Sequence, residues 1–357
     1  MHRILAINPG STSTKFAVYF DEKCVLNKTI RHSMDELMRY KNVIDQFDFR
    51  KGFIIDALME EGIEVDSLKF VIGRGGLTYP LESGVYRVNN QMIKHAREGV
   101  LGQHASNLGP LLADYIALQI PKAQAFIADP VVTDEMENVA RIAGHPEFER
   151  LSIFHALNQK ATARLHARKT GQKYELMNLI VAHLGGGISV GAHKKGRVVD
   201  VNNAFDGEGP FSPERAGTLP VGQLITVCYS GKYSEDQIRR MIVGEGGFVG
   251  YLGTNSAKDV QERAQAGDNK ARIIQEALFY QVSKLIGEMA VVLEGKVDGI
   301  ILTGGLAYNE ELEKYIKKKA GFIAPVFTYP GEDELEALAM NALRVARNEA
   351  EVKEYER

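Results

Sequence analysis

The chain has 357 residues, 45% of them hydrophobic and 25% charged, and 43 Lys+Arg against 46 Asp+Glu leave a formal net charge of -3. That length exceeds one ordinary core and predicts two or three domains, while the near-balanced charge gives no footprint for a nucleic-acid partner. No apolar run approaches a bilayer span and the first residues enter a strand rather than a secretory leader, so a cytoplasmic protein with no membrane partner is expected.

Residues 3–7 are a short apolar run, 8–14 (NPGSTST) are turn chemistry throughout, and 15–20 alternate as a strand does, with a third strand over 23–31. Helical spacing covers 40–61, followed by a buried strand at 68–73 that opens into Arg74-Gly75-Gly76 and a short strand at 84–88. An arginine at such a strand end either forks onto a carboxylate or phosphate or is merely solvated at a loop mouth. Helices are expected at 91–100 and 107–118, with Ser106 or Asn107 as N-cap and His104 just outside. The strand 124–128 delivers Asp129-Pro130, which is either a ligand-facing aspartate at a strand's C-terminal end or a plain turn.

Residues 135–150 are polar and irregular, a candidate crossing into a second domain, and 154–158 open a helix that Gly171 closes. Next comes LIVAHLGGGISVGAH, residues 179–193: strand, bare glycine turn, strand, then a basic turn and a third strand. Such a turn exposes backbone N–H groups that an anion can approach closely, although a lone Gly-Gly-Gly is also what a tight hairpin uses. The same strand, turn, strand, strand order at residues 3–31 predicts duplication into two similar domains, each opening with a phosphate-capable hairpin. Two such hairpins facing one another would grip a nucleotide from both sides.

Residues 200–217 carry acids, Arg215, glycines and two prolines without helical or strand period, the composition of an ordered functional loop. Helices are expected near 220–229, 234–243, 257–266 and 269–293, with a glycine-dense mobile loop at 244–253. A buried strand at 297–303 ends in Gly304-Gly305, where a base or ribose can lie against bare backbone, and leads to a helix at 310–319. Residues 325–330 read as the last strand. A helix starts in the acidic stretch 332–336 and runs towards the C-terminus, its acids matching the helix dipole. Cys24 and Cys228 lack metal-site or disulfide spacing.

No GxxxxGK[ST], GxGxxG, GxSxG or HExxH pattern is present. Glycine turns on strands, with scattered His, Arg, Asp and Glu at strand ends, suit phosphoryl transfer, which needs positioning and positive charge more than a protein nucleophile. The segments NPGSTSTK at 8–15, HLGGGISV at 183–190 and TGGL at 303–306 resemble the two phosphate motifs and the adenosine motif of the acetokinase family. The resemblance covers the whole chain. It implies an α/β fold of duplicated ribonuclease-H-like, actin-like ATPase domains with an interdomain cleft, residues 1–148 plus about 336–357 forming one domain and 149–335 the other. Pro9 and the 200–217 loop resemble the butyrate-specific branch rather than the acetate-specific one.

What the resemblance implies for function is reversible transfer of the γ-phosphate of ATP to a short-chain carboxylate, giving acyl phosphate and ADP, with Mg²⁺ and a homo-oligomer. The nucleotide and Mg²⁺ would fall on Asn8, Ser11, Ser13 and Lys15, on Gly185, Gly186 and Gly187, and on Gly304 and Gly305. Glu334, or Asp333, matches the acid near the metal. His183 and Arg215 match the residues on the transferring phosphoryl group, Asp129 and His155 further catalytic positions. His104 matches the acyl-pocket histidine, and Arg74, or Arg87, the carboxylate-binding arginine. Competing readings are a sugar or glycerol kinase using Asp129 as base, and a chaperone-like or actin-like ATPase switched by nucleotide.

Overall fold

In the first thirty residues the apolar alternation and the glycine turn produce a meander: β1 (Arg3–Pro9), β2 (Ser13–Phe20) and β3 (Lys23–Arg31), each antiparallel to the next. The computed structural model describes residues 1–356, in two compact units: Met1–Thr133 with the segment from Asp333 onward, and Asp134–Glu332.

In the first unit β4 (Phe70–Arg74) lies parallel to β1 on the side away from β2, β5 (Val85–Arg87) is an outer strand, and β6 (Gln124–Ala128) runs between β4 and β5. The inner strands are nearly continuous apolar runs because both faces are covered. Leu5, Ile7, Phe16 and Val18 pack with Ile54 and Leu58 of the helix Phe47–Glu60 and with Leu112 and Ile116 of the helix Leu108–Leu118. Full burial of each such side chain stabilises by roughly 1.5–3 kcal/mol.

The second unit repeats the plan with β7 (Asn178–Leu184), β8 (Ile188–Lys194), β9 (Arg197–Val201), β10 (Gly299–Gly304) and β11 (Val326–Pro330), in the order β11-β10-β7-β8-β9. Three antiparallel strands continue into two parallel ones, as in β3-β2-β1-β4-β6, and the last antiparallel pair shifts register at the corresponding place, Val18/Tyr19 and Ala192/His193. This is a duplicated ribonuclease-H-like α/β fold. Its second core joins Ile180, Val190 and Leu302 to Leu278, Val282 and Ile286 of the long helix Asn269–Val292.

Three local expectations are corrected. The stretch 244–253 is not a plain loop: it holds a helix, Gly247–Leu252, because its glycines let it lie against the backbone at 212–216. The helix expected from the acidic stretch does start within it, at Glu334, is capped by Asp333 and ends at Ala346. A further strand then follows, β12 (Val352–Lys353), parallel to β5, so residues 325–330 are not the last strand. Finally, Asn107 stands at the N-cap position of the helix Leu108–Leu118 but makes no side-chain cap bond, and the side-chain cap is instead His104 on the preceding 3₁₀ turn Ala105–Asn107, its Nδ1 accepting from the Ser106 amide at 3.2 Å. Among the described residues no helix is long and apolar enough to cross a membrane.

Candidate active site

In the second unit two predicted motifs meet at the C-terminal ends of β7 and β10, where α/β sheets place their ligands. His183 pairs across the ladder with Ser189 on one side and Thr303 on the other, so the turn 185–187 and the pair Gly304-Gly305 are neighbours in one sheet. Gly185 N–H donates to Gly187 O at 3.1 Å and closes the turn. Gly304 exchanges backbone hydrogen bonds with Gly331, and Gly305 opens onto free space at the start of the 3₁₀ turn Gly305–Tyr308.

His155, at the N-terminus of the helix Ala156–Lys169, stacks on His183 with ring centroids 3.8 Å apart and planes 11° from parallel. Both rings are anchored through Nδ1, His183 to Asn158 Oδ1 at 2.8 Å and His155 to Ser189 Oγ at 2.9 Å. Fixing one ring nitrogen fixes the orientation of the other. His183 Nε2 lies 3.3 Å from Glu332 Oε2. Ser189 also accepts from Gln159 Nε2 at 2.8 Å; Gln159 Oε1 meets His193 Nε2 at 2.9 Å, and His193 Nδ1 meets Tyr174 OH at 2.7 Å. Burial holds the His193 imidazole well below its ordinary pKa, and the Lys160 and Arg164 cations act in the same direction, so this support stays neutral.

Arg215 covers the glycine turn. A Cβ placed on Gly187 would lie 2.2 Å from Arg215 Nη1 and 3.2 Å from His155 Cε1, so the bare backbone is what admits the guanidinium and the imidazole together. Arg215 donates to Ala204 O and lies over the Phe205 ring, 5.7 Å from its centroid. Burial lowers its pKa, with Glu214 and Asp206 opposing the shift. Its Nε is buried with no hydrogen-bond partner among the described residues, a cationic donor that an anion would satisfy. The 200–217 loop is pinned by Asn202, which bonds Val190 N–H and Ile188 O at 2.8 and 3.0 Å, and by Ser212 Oγ donating to Gly186 O.

In the first unit Asn8 and Lys15 face each other across the β1–β2 ladder and residues 10–12 form the turn; Ser11 and Lys15 are exposed and Ser13 half-buried. Asn8 Nδ2 donates to the Glu334 carboxylate, while Arg74 forks onto both Glu334 oxygens, at 3.0 and 3.1 Å, and reaches Asn8 Oδ1 at 3.4 Å. The structure therefore joins Asn8, Arg74 and Glu334. It does not bring in the alternatives: Arg87 pairs with Glu354 at the sheet margin, and Asp333 caps its own helix by accepting from Glu336 N–H.

Asp129 follows β6 in a left-handed conformation, φ 39°, with Oδ1 accepting from Ser83 Oγ at 2.6 Å and Gly84 N–H at 3.0 Å. Aspartate tolerates this region better than most residues, and the loop at 83–84 holds it there. His104 lies by Asn107, whose Oδ1 accepts from Leu77 N–H at 2.9 Å in the loop beyond Arg74.

Sequence reading missed the residues that hold the others: Asn158, Gln159, Ser189 and Ser83. The only signal available was position, since Asn158 and Gln159 come one helical turn after His155 and Ser189 lies opposite His183 once the hairpin is drawn.

The model of the Acetokinase family matches residues 150–319. Butyrate kinase 2 and butyrate kinase 1 of Clostridium acetobutylicum are each 54% identical to the chain, over 353 and 355 residues, covering 99% of this chain and 99% and 100% of theirs. The crystal structure of Porphyromonas gingivalis acetate kinase superposes with a TM-score of 0.80 at 16% identity, covering 97% of this chain and 100% of that one, a likeness of fold. With identity at that level along nearly the whole length, and with the family's glycine turns at the strand ends, the chain belongs to the acetokinase family.

Proposed function

We infer that the chain is a carboxylate kinase that transfers the γ-phosphoryl group of ATP reversibly to butyrate, giving butyryl phosphate and ADP. One observation carries the chemistry: Arg215 and His155 converge over the bare backbone of Gly187, with His183 stacked behind. A carboxylate acceptor is ionised at neutral pH and needs no base. The barrier lies in bringing two anions together, which buried cationic and N–H donors relieve. The acid itself is read from the relatives, which are named butyrate kinases across their full length.

Within this reading Gly185, Gly186, Gly187, Gly304 and Gly305 hold nucleotide, and Arg215, His183 and His155 take up charge on the phosphoryl group. In the first unit Ser11, Ser13 and Lys15 bind phosphate, His104 borders the acyl chain, and Asp129 is held ready by Ser83. The Arg74 fork rests on Glu334, so a substrate carboxylate there competes with an internal one. Among the described residues no group of three or more His, Cys, Asp or Glu could hold a metal. Glu334 beside Asn8 is the carboxylate that would meet Mg²⁺, an ion that keeps waters and substrate phosphates rather than an all-protein cage, in exchange for the Arg74 fork that now holds both its oxygens. Bound there, Mg²⁺ would supply charge neutralisation to the phosphates.

The reading includes a cytoplasmic homo-oligomer; the helix Val221–Cys228, apolar yet with no buried residue, supports the assembly. Replacing Arg215 by Ala tests the chemistry. Expected is a fall in kcat of roughly 10³-fold with thermal stability and ADP affinity retained; turnover within a few-fold of wild type would remove Arg215 from the mechanism.

A further inference from the structure

The helix Phe47–Glu60 sends one arginine inward beneath the β1–β2 turn. Arg50 is fully buried, yet among the described residues it meets no carboxylate: its acceptors are backbone oxygens of that turn and two neutral side chains. Nη1 donates to Gly10 O and Ser13 O, both at 2.8 Å, and to Thr14 Oγ1 at 3.1 Å. Nη2 donates to Ser11 O at 3.2 Å and Gln46 Oε1 at 2.9 Å, and Nε to the same Gln46 oxygen at 3.0 Å. All five N–H groups of the guanidinium can thus be occupied.

Burying a guanidinium is costly unless every donor is satisfied, and a Met or Leu would fill the same volume without that cost. What an apolar residue could not do is hold three carbonyls of one turn. In a trans peptide the C=O of one residue and the N–H of the next point in opposite directions. With Gly10 O and Ser11 O drawn inward, the amides of Ser11 and Thr12 are turned outward, and both residues are exposed. An outward row of amides is how a backbone turn receives a phosphate.

We propose that Arg50 is a positioning residue for nucleotide binding: it clamps the carbonyls of the 10–13 turn from behind so that the turn's amides are presented to a phosphate group. The role rests on the nucleotide-binding function inferred for this turn. Gln46 aligns the guanidinium by accepting from two of its nitrogens, and Thr14, itself bonded to His32 Nε2 at 2.8 Å, closes the ring of acceptors.

The test compares wild type, Arg50→Lys and Arg50→Met by thermal melting, by KM for ATP and for butyrate, and by calorimetric titration with ADP, since the chain has no tryptophan to report binding. A lysine keeps the charge but gathers its three donors on one nitrogen and lacks the planar fork that here spans five acceptor atoms. Expected for folded Arg50→Lys is a rise in ATP KM and ADP Kd of roughly tenfold, with butyrate KM within about twofold of wild type. Unchanged nucleotide constants in the folded variant, or ATP and butyrate KM rising together, would overturn the proposal. Should both variants fail to fold, Gln46→Met, which leaves Arg50 in place but unaligned, is judged by the same two outcomes. Wild-type protein that binds ADP but phosphorylates no acid would overturn the kinase reading alone, and the ADP titrations would still decide the role of Arg50.

Discussion

Gly186 and Gly187 are adjacent and chemically identical, but only one of them is confined. A Cβ on Gly186 would find its nearest neighbour, Glu214 Oε1, 3.9 Å away, whereas on Gly187 it would meet the Arg215 guanidinium at 2.2 Å. Gly187→Ala is therefore expected to displace Arg215 and lower kcat by about 10²-fold or more, whereas Gly186→Ala leaves Arg215 in place and is expected to show in the KM for ATP rather than in kcat, because misplacing a charge-stabilising group costs more in the transition state than crowding a bound nucleotide. Steady-state kinetics on the two variants check this; equal losses would mean the turn tolerates no substitution and Arg215 has no special place over it. At this scale the sequence shows which residues carry charge or lack a side chain; His183, Arg215 and Glu334, the last with Asp333 as alternative, are singled out only by the resemblance of their segments to the acetokinase family. It does not show which polar residues are buried. Arg50 sits in a helix among apolar neighbours and nothing local distinguishes it from a solvated arginine, because its acceptors come from a turn far off in the chain.

Among the elements, the two meanders were legible because alternation and glycine punctuation are local signals. The helix Gly247–Leu252 was not, because a glycine-rich stretch signals flexibility unless its neighbours are known. Those neighbours are the backbone of the Arg215 loop. Gly247 has φ 56°, and a Cβ there would lie 1.7 Å from Ser212 O. The glycines thus act as a close-packed brace, with Ser212 in turn bonded to Gly186 O. Gly247→Ala is expected to destabilise by about 2–4 kcal/mol, from overpacking and left-handed strain together, and to lower kcat as the loop shifts. Denaturant unfolding and turnover should fall in company; a variant with wild-type stability would contradict the brace. β12 escaped notice for a similar reason: two residues carry no period, and only pairing with β5 makes them a strand.

Across the whole molecule, one five-stranded plan occurs twice and carries different chemistry each time. The second unit has the paired histidines, Arg215 and the bare turns; the first has Asn8, Arg74 and Glu334, with an arginine beneath its turn. Duplication was visible in the chain because the order of strand, turn, strand and strand recurs, although the turn residues themselves differ, Pro9-Gly10-Ser11 against Gly185-Gly186-Gly187. How the residues of each site support one another was not, since bonds such as Arg74 to Glu334 or Gln159 to His193 join positions that share no local pattern. Which acid is phosphorylated depends on pocket volume, where one methylene changes selectivity by only about 1–3 kcal/mol. The measurement that bears most directly on the central claim is therefore hydroxylamine trapping of acyl phosphate from ATP with acetate, propionate, butyrate, isobutyrate and valerate in turn. The expected result is acid-dependent hydroxamate with kcat/KM highest for the four-carbon acids and at least about tenfold lower for acetate. ATP consumption that is indifferent to every acid, or no trapped product with any of them, would contradict it.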